Sequence, residues 1–582
     1  MCRISPIFDA HKKDNMITTW KRRASIALLA LCCMGAFAQS ASKSQGPVNE
    51  FTAIEGTSAL KYHYVREKNL EARYGYGPSF YLFPDRKLDE KLALELVREL
   101  GMPKLVDQFG GRICVINPVG EKWQASDIET FRGLLKQNGT VTNVKVVAIG
   151  QGATFVNRHL AATDLTGAIA GLVSIGGDPG KVCAQPVPAY IGGKHAARAA
   201  RPYQKTSEAA PADPLQQVVV NTDAKAPLAT LFADAWDKVL SANYRFNNLY
   251  RTFYSTRGAE NPEGVKNFEL VSLPMFDKLD IERHMVEYPV IDEHMPIKPK
   301  NPDKYLWYEY LPKQAREAAP GTVPLVVLLH GHTNDPRTQS ETSGFVELAA
   351  EEGFMVVEME WQGSNGYIQM GLDGIEGVIS ILKKKYPQLD ETRIYCEGLS
   401  AGAMTSSMLG VRKSHLFAAV AGHSGGIHSG NGVGYYGYGT EPLMNEAIQK
   451  RGYVEVGYCS VMGTHDEVVR SLRPDNWQDN AYLNTWRIYQ TINGMEVTGD
   501  LDFGVDATFG FTLQDRQQIL TNKGEGITME YGQLYKGDKP LIRLVAINKY
   551  AHWNFKPAAR VIWDFFRHFS RDMKTKKLMY TE

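Results

Sequence analysis

Three side chains in the second half of the chain could together activate a hydroxyl nucleophile: Ser400, Asp466 and His552. A serine hydroxyl is a weak nucleophile at neutral pH, so a histidine must take its proton during attack and return it to the leaving group. A carboxylate fixes the tautomer of that imidazole and stabilises the imidazolium. These residue types predict nucleophilic catalysis on an acyl group.

The elements around Ser400 predict that its hydroxyl is presented at a sharp turn. Arg393–Glu397 is a short apolar strand pattern, Gly398–Gly402 reads G-x-S-x-G, and the run from Ala403 to Val411 is compatible with a helix. Flanking glycines let such a strand and helix pack closely, and the N–H after the serine, that of Ala401, is then placed to hold an oxyanion.

A second oxyanion donor is expected after the strand upstream. Pro324–Leu329 is a continuous apolar run, typical of a strand buried on both faces, and it ends in a His-Gly turn. The backbone N–H of His332 or of Thr333 is the predicted donor.

The acid and the base follow the ends of two further strand patterns, Tyr458–Gly463 and Leu544–Ile547. The order Ser, Asp, His along the chain is that of α/β-hydrolases. Alternatives remain nearby: His423 or His465 as the base and Glu467 as the acid. For His423, a place in the wall of the pocket is the favoured interpretation.

Two segments carry a resemblance to a known family: Leu389–Thr405, which contains the G-x-S-x-G turn, and Leu416–Gly422. They resemble the polyhydroxybutyrate depolymerase and feruloyl or acetylxylan esterase group of α/β-hydrolases, similar to carbohydrate esterase family 1, over roughly residues 280–582. The resemblance implies secreted ester hydrolysis through an acyl-enzyme, with Ser400, Asp466 and His552 at the triad positions. The chain departs from the family in having His332 where Cys often stands and Ala403 where a second Gly often stands.

The first half of the chain repeats the second without its catalytic residues. Val218–Asn221 matches Val545–Asn548 and Trp236 matches Trp563, both at an offset of 327 positions, which places Lys225 at the histidine position. With gaps, Gly150-Gln-Gly152 falls on Gly398-Leu-Ser400, which leaves Gly152 at the serine position and Ala196 at the acid position. A repeat of this size predicts a domain duplication.

The first domain is therefore predicted to be non-catalytic. A dinucleotide-binding G-x-G-x-x-G motif would need a third glycine where Phe155 stands, so that interpretation is disfavoured. Packing against the catalytic domain and carbohydrate binding both remain open as roles.

The predicted fold class is α/β, with two tandem α/β-hydrolase-like domains, each a mostly parallel doubly wound sheet. The expected organisation is a signal peptide over 1–38, a degenerate domain over 50–240, a linker over 241–279 and a catalytic domain over 280–582. The leader pattern is Lys21–Arg23, an apolar run and Ala36-Phe-Ala38, with cleavage expected after Ala38 and Met16 as an alternative start. This predicts a secreted or periplasmic protein.

The composition of the chain limits the kinds of binding partner that are expected. A net charge of +1 and the lack of a basic cluster interleaved with aromatics disfavour nucleic acid, and no other apolar run is long enough to span a membrane. The four cysteines beyond the leader form no C-x-x-C pair, so no metal or cofactor is expected, and all four are predicted to be buried and unpaired. They are Cys114, Cys183, Cys396 and Cys459.

Substrate contacts are predicted from aromatic and histidine side chains near strand ends and from the Gly- and Tyr-rich segment Ser429–Gly439. They are Trp361, His423, Tyr435, Tyr436, Tyr438 and Trp553. The predicted function is a serine esterase acting on feruloyl or acetyl esters of a plant cell-wall polysaccharide or oligosaccharide. Alternatives are a polyhydroxybutyrate or polyester oligomer depolymerase, a serine peptidase and a non-catalytic carbohydrate-binding protein.

Overall fold

The structure is a computed structural model. It describes residues 49–65, 77–137, 143–209, 218–247, 268–272, 274, 276–289, 304–332, 334, 336–363, 367–427, 454–522, 527–550 and 552–582. The predicted leader, Thr333 and the three tyrosines of the Gly- and Tyr-rich segment lie outside the described residues.

The N-terminal domain contains an eight-stranded sheet. Its strands are β1 (Glu50–Ala53), β2 (Ala59–His63), β3 (Ser79–Phe83), β4 (Arg112–Ile116), β5 (Val144–Ile149), β6 (Ile169–Ile175), β7 (Ala189–Gly192) and β8 (Val218–Asn221). The spatial order is β1-β2-β4-β3-β5-β6-β7-β8. Strands β3 to β8 run parallel, and β2 is antiparallel to β4.

Helices connect these strands. They are α1 (Glu90–Glu99), α2 (Met102–Phe109), α3 (Ile128–Gln137), α4 (Gly150–Phe155), α5 (Ala196–Ala199), α6 (Arg201–Ala209) and α7 (Leu228–Ala235). Helix α4 continues into a π-helical turn, Val156–Leu160, and α7 into another, Trp236–Leu240. Trp236 thus follows the eighth strand, as the repeat predicts.

The predicted linker contains a strand pair of its own. Strand β9 (Asn243–Asn247) pairs with β10 (Phe268–Ser272) in antiparallel fashion. The predicted domain boundaries remain a proposal.

The C-terminal domain contains a ten-stranded sheet. Its strands are β11 (Ile281–Pro289), β12 (Lys304–Pro312), β13 (Val323–Leu329), β14 (Met355–Met359), β15 (Leu389–Leu399), β16 (Ala419–His423), β17 (Gly457–Gly463), β18 (Gln514–Asn522), β19 (Ile527–Lys536) and β20 (Lys539–Ile547). The order is β11-β12-β14-β13-β15-β16-β17-β20-β19-β18. The central strands are parallel, and antiparallel pairs lie at both sides.

The helices of this domain are α8 (Phe276–Leu279), α9 (Lys313–Arg316), α10 (Pro336–Ser343), α11 (Phe345–Glu352), α12 (Leu372–Lys385), α13 (Ala401–Arg412), α14 (Ala481–Ile492) and α15 (Ala558–Phe566). A short C-terminal pair follows, β21 (Phe569–Arg571) with β22 (Leu578–Tyr580). Trp563 lies in α15 and packs on Phe354 with ring centroids 4.2 Å apart.

Both sheets have the same strand order over eight strands, and the antiparallel pair β18–β19 is added beyond β20. This pair lies between Asp466 and His552, where the length of the sequence leaves room for an insertion around 497–527. Strand β18 lies within that range, and β19 begins at its end. The predicted fold class is confirmed.

The core of the C-terminal sheet explains its parallel centre. Every residue of β13 is buried, because helices cover both faces of a parallel sheet and favour continuous apolar runs. The four cysteines named above are free and buried. Among the described helices, none combines the length and the apolar character that a membrane crossing requires.

Candidate active site

Ser400 occupies the turn between β15 and α13 with a strained backbone. Its φ is 57° and its ψ is −114°, values that a non-glycine residue adopts only when the surrounding structure imposes them. A Cβ on Gly398 would lie 2.2 Å from the carbonyl oxygen of Gly402, and one on Gly402 would lie 1.9 Å from that of Leu329. The two glycines of G-x-S-x-G therefore allow the close strand and helix contact that exposes the serine.

A continuous hydrogen-bond chain joins the three predicted triad residues. His552 Nε2 lies 2.9 Å from Ser400 Oγ, and His552 Nδ1 lies 2.8 Å from Asp466 Oδ2. The imidazole is 4% exposed and Asp466 is fully buried. This geometry suits proton transfer from the serine hydroxyl to the histidine, with the carboxylate orienting the ring.

The carboxylate of Asp466 is held in place from both sides. Its Oδ1 accepts the backbone N–H groups of Val468 and Val469 at 2.8 and 3.1 Å. Its Oδ2, which faces His552, also lies 3.3 Å from the hydroxyl of Tyr482 in α14. These donors fix the direction in which the carboxylate presents its oxygen to the imidazole.

The loop that carries His552 is pinned by several contacts. The hydroxyl of Tyr550 donates to the carbonyl of Asn554 at 2.7 Å, and Gln339 of α10 donates to the Asn554 side chain at 2.8 Å. The N–H of Phe555 donates to His423 Nε2 at 3.2 Å. The position of the candidate base is thus set by residues on either side of it.

His423, at the end of β16, is buried at 2% exposure. The pKa of His423 is lowered to about 3, mainly by burial and to a smaller extent by the nearby His552. The neutral ring accepts from Phe555 through Nε2, so its Nδ1–H faces the Ser424 hydroxyl at 3.1 Å. Its backbone carbonyl accepts the N–H of Ser400 at 2.9 Å. His423 therefore links the nucleophile turn to the His552 loop.

His465 and Glu467, also considered as base and acid, form contacts away from the nucleophile. His465 Nδ1 lies 2.9 Å from the Thr464 hydroxyl. Glu467 forms an ion pair with Arg473. The hydrogen-bond chain to Ser400 runs through His552 and Asp466.

One predicted oxyanion donor stands at the start of α13. Ala401 is the first residue of that helix, where a backbone N–H has no acceptor within the helix. It follows the strained Ser400 directly, so its N–H is placed beside the nucleophile.

The turn after β13, where the second donor is expected, abuts Ser400. A Cβ built on Gly331 would lie 3.5 Å from Ser400 Cβ. The turn is held by Trp361, whose indole N–H donates to the His330 carbonyl at 2.9 Å, and by Gln362, which donates to the Gly331 carbonyl at 2.9 Å. His332 is half-buried. Its pKa is lowered mainly by this burial and to a smaller extent by the neighbouring His330.

The described residues predicted to contact substrate lie mostly inside the domain. Trp361 is fully buried and Trp553 is 7% exposed. Trp361 supports the turn after β13, and His423 supports the His552 loop. Their direct contact with substrate stays a prediction, and their observed contacts are structural.

Sequence reasoning missed four side chains that hold the site: Gln339, Gln362, Tyr482 and Asn554. Gln362 follows a strand end beside Trp361, and Asn554 follows His552 by two positions, so proximity along the chain was a signal for both. Gln339 and Tyr482 lie on helices far from the triad in sequence. No local pattern identifies them.

The N-terminal domain has a corresponding turn between β5 and α4. Gly150 follows the last residue of β5 with φ 54°, close to the value at Ser400. A Cβ on Gly152 would lie 2.2 Å from the carbonyl oxygen of Phe83 at the end of β3. A Cβ on Gly402 would lie 1.9 Å from the carbonyl oxygen of Leu329 at the end of β13. The structure therefore places Gly150 at the serine position, two residues before the position expected from the gapped alignment, because strand pairing fixes the register.

Part of the C-terminal domain matches a known protein family. Residues 306–491 match the family model of esterase PHB depolymerases. A bifunctional acetylxylan esterase/xylanase, XynS20E of Neocallimastix patriciarum, is 32% identical over 108 residues, which cover 18% of this chain and only 16% of that protein. The family match confirms the resemblance to the esterase group of α/β-hydrolases.

The chain also has weak similarity to solved esterase structures. An acetyl xylan esterase from Aspergillus awamori is 14% identical with a TM-score of 0.32, covering 49% of this chain and 99% of that one. A feruloyl esterase module from Clostridium thermocellum, complexed with sinapinate, is also 14% identical with a TM-score of 0.32, covering 52% of this chain and 91% of that one.

Proposed function

We propose that the C-terminal domain hydrolyses carboxylic esters through an acyl-enzyme formed on Ser400. The observation that carries this proposal is the hydrogen-bond chain from Ser400 Oγ through His552 to the buried Asp466. The strained backbone at Ser400 supports the same role, because such turns persist where they present a nucleophile.

The proposed reaction has two halves. Ser400 Oγ attacks the ester carbonyl carbon while its proton passes to His552 Nε2, and the resulting oxyanion accepts the Ala401 N–H. The bond to the alcohol breaks as His552 returns the proton to the alcohol oxygen. Water then loses a proton to His552 and attacks the acyl-serine carbonyl. The bond between the acyl carbon and Ser400 Oγ breaks as His552 returns that proton to Oγ, which releases the carboxylic acid and restores the Ser400 hydroxyl.

The proposed substrate is a feruloyl or acetyl ester on a plant cell-wall polysaccharide or oligosaccharide. The similarity to a segment of a bifunctional acetylxylan esterase/xylanase supports an ester of xylan as the substrate. The description of the matching family favours a second candidate, a polyhydroxybutyrate or polyester oligomer. We also propose export of the chain, on the basis of its basic and apolar N-terminal pattern ending in Ala36-Phe-Ala38.

The deciding experiment measures ferulate and acetate released from native arabinoxylan by the wild type and by Ser400→Ala. We expect release by the wild type alone, because the variant lacks the attacking hydroxyl. Aryl-ester hydrolysis without release from arabinoxylan would move the substrate towards hydroxyalkanoate oligomers. Equal activity in both proteins would refute Ser400 as the nucleophile, and peptide cleavage without ester cleavage would favour a peptidase.

A further inference from the structure

The N-terminal domain carries a basic groove of about 310 Å³. Four cationic side chains line it, together with Pro179, Gly180 and Pro202, and no carboxylate is among the lining residues. The four are Lys181, Arg198, Arg201 and Lys205. We use the name basic groove for this set.

The groove lies at the carboxyl ends of β6 and β7. Lys181 belongs to the loop after β6, and the other three cations belong to α5 and α6, which follow β7. This edge of a mostly parallel α/β sheet is where ligands bind in such folds. The groove therefore occupies a binding position of the fold.

One wall of the groove is held rigidly. A Cβ on Gly180 would lie 1.8 Å from the Asn157 carbonyl oxygen, so the loop rests against the π-helical turn after α4. The buried Asn157 side chain donates to the Asp178 carbonyl at 2.9 Å and accepts from the Tyr203 hydroxyl at 2.9 Å. The loop and α6 are thus fastened to one buried amide, which fixes the spacing between Lys181 and the helical cations.

The cationic side chains of the groove have no ion-pair partner among the described residues. None of the four cationic side chains forms an ion pair there, and the nearby Asp178 is paired with Arg158 at 2.9 Å. Arg201 and Lys205 are one helical turn apart, where like charges repel. Such an arrangement is stabilised when an anion binds between the charges.

The former nucleophile turn of this domain is closed to such a ligand. The Gln151 N–H, which corresponds to the oxyanion donor Ala401, donates to Asp85 Oδ1 at 2.7 Å. A Cβ on Gly150 would lie 2.0 Å from the same oxygen, so the Asp85 carboxylate occupies the space beside the missing serine. An anion is therefore repelled by Asp85 at the turn between β5 and α4 and attracted to the basic groove.

We propose that the basic groove binds uronic acid carboxylates of an acidic polysaccharide, and thereby holds the polymer on which the C-terminal domain acts. This inference rests on the proposed function for the polymer class. Arginine side chains match the geometry of a carboxylate with two parallel N–H groups. The volume suits one or two sugar units, and the net charge of +1 offers no extended field for nucleic acid.

The test uses the full-length wild-type chain and glucuronoxylan stripped of its esters, so that binding is measured without turnover. Calorimetry compares this polymer with the same polymer after reduction of its carboxyl groups. We expect binding to the acidic polymer, weaker binding at higher salt, and no binding to the reduced polymer. Equal binding to both polymers would overturn the proposal, as would tighter binding to polyphosphate.

A charge-matched pair of variants locates the site. Arg198→Gln with Arg201→Gln should weaken binding at least about tenfold, because two charge-assisted contacts are lost. Lys87→Gln with Lys91→Gln removes the same charge from exposed positions of this domain outside the groove and should change binding less than about twofold. Equal weakening by both pairs, with unchanged unfolding midpoints, would show a general charge effect and overturn the assignment.

Aryl acetate hydrolysis by the same samples separates the two proposals. The groove variants should retain hydrolysis, because the substituted residues are outside the candidate active site. Hydrolysis by the wild type without binding of the acidic polymer would overturn the groove assignment alone. Binding without hydrolysis in any sample would overturn the proposed esterase and leave the groove assignment standing.

Discussion

His552 is hydrogen-bonded through both ring nitrogens, and this sets its chemistry. The contact of Nδ1 with Asp466 at 2.8 Å requires the proton on Nδ1, because a carboxylate only accepts. Nε2 is then the acceptor that faces the Ser400 hydroxyl. The carboxylate thus selects the tautomer that can act as a base.

Asp466→Asn tests this tautomer argument. An amide can donate to Nδ1, which would move the imidazole proton to Nε2 and remove the base, so we expect kcat to fall about 10⁴-fold with little change in KM. Steady-state kinetics with an aryl acetate measures this. Glu467→Gln, which removes the neighbouring acid and its ion pair with Arg473, should stay within a few-fold, and a larger loss there than in Asp466→Asn would reverse the assignment of the acid.

His423 is expected to act as a positioning residue. His423→Phe removes the acceptor of the Phe555 N–H, and leaving a buried donor unpaired costs about 1–3 kcal/mol. We expect kcat to fall at least about tenfold at unchanged KM, because the His552 loop loses its register with Ser400. His423→Gln retains an acceptor and should recover most of kcat. Equal loss in both variants would contradict the positioning role.

For single residues, the sequence identifies the candidate triad better than it identifies the residues that hold the triad in position. Ser400, Asp466 and His552 follow strand ends, and their types match their proposed chemistry. Trp361 and His423 also lie at or just after strand ends, yet their side chains turn inward and bond to backbone groups. Whether a polar or aromatic side chain points to the pocket or to the core depends on packing between elements, which a linear pattern does not contain.

Strand β15 carries an unusual buried acid three residues before Ser400. Glu397 is 1% exposed and lies on the same face of the strand as Tyr395, whose ring stacks on Phe566 of α15 at 5.0 Å. Burial raises the pKa of Glu397 from 4.5 to about 8. The acid is therefore held in its neutral form at neutral pH, beneath the strand that presents Ser400.

This burial predicts a pH-dependent stability. Between pH 4.5 and about 8 the folded protein retains a proton on Glu397 that the unfolded chain releases, so the free energy of unfolding falls as pH rises, by up to about 1.4 kcal/mol per pH unit. Glu397→Gln should flatten this fall and raise the stability at pH 8. Denaturant unfolding at several pH values measures it.

A matched control for this prediction is Glu391→Gln on the same strand. Glu391 pairs with Lys383 and its side chain is 55% exposed, so its removal should leave the slope with pH unchanged. An equal flattening in both variants would contradict a specific role for Glu397.

The elements themselves were largely predictable where the pattern was strong. The continuous apolar run of β13 and the alternation of strand and helix signals predicted a parallel α/β sheet, and the structure has one. The pair β18–β19 was foreseen only as room for an insertion, because β18 is largely polar and the place of the pair beyond β20 is decided by pairing with an edge strand. Long-range pairing of this kind leaves little trace in local sequence.

For the whole molecule, the two sheets share one strand order over eight strands, and in each the turn after the fifth strand contains a residue with positive φ. Gly150 has φ 54° and Ser400 has φ 57°. The gapped alignment placed the missing serine two residues away because glycines at 150 and 152 both fit a G-x-G pattern. Strand pairing with β3 and β6 removes that ambiguity.

The positive φ shared by the two turns implies that the serine at this position lowers the free energy of unfolding. A side chain in this conformation costs about 1–3 kcal/mol, whereas glycine adopts it without that cost. We expect Ser400→Gly to unfold at a higher denaturant midpoint than Ser400→Ala, although both lack the serine hydroxyl. The order should be reversed at Gly377, which lies inside α12 with open space around its Cβ position, so Gly377→Ala should stabilise the protein.

A lower midpoint for Ser400→Gly than for Ser400→Ala would refute strain at this turn. If the strain is present, the domain that keeps serine is held below its attainable stability by the residue on which its activity depends. The domain with glycine at the same place is relieved of that cost. Within one polypeptide, the half with serine would then have the strained turn that activity requires, and the half with glycine would have the more stable turn without it.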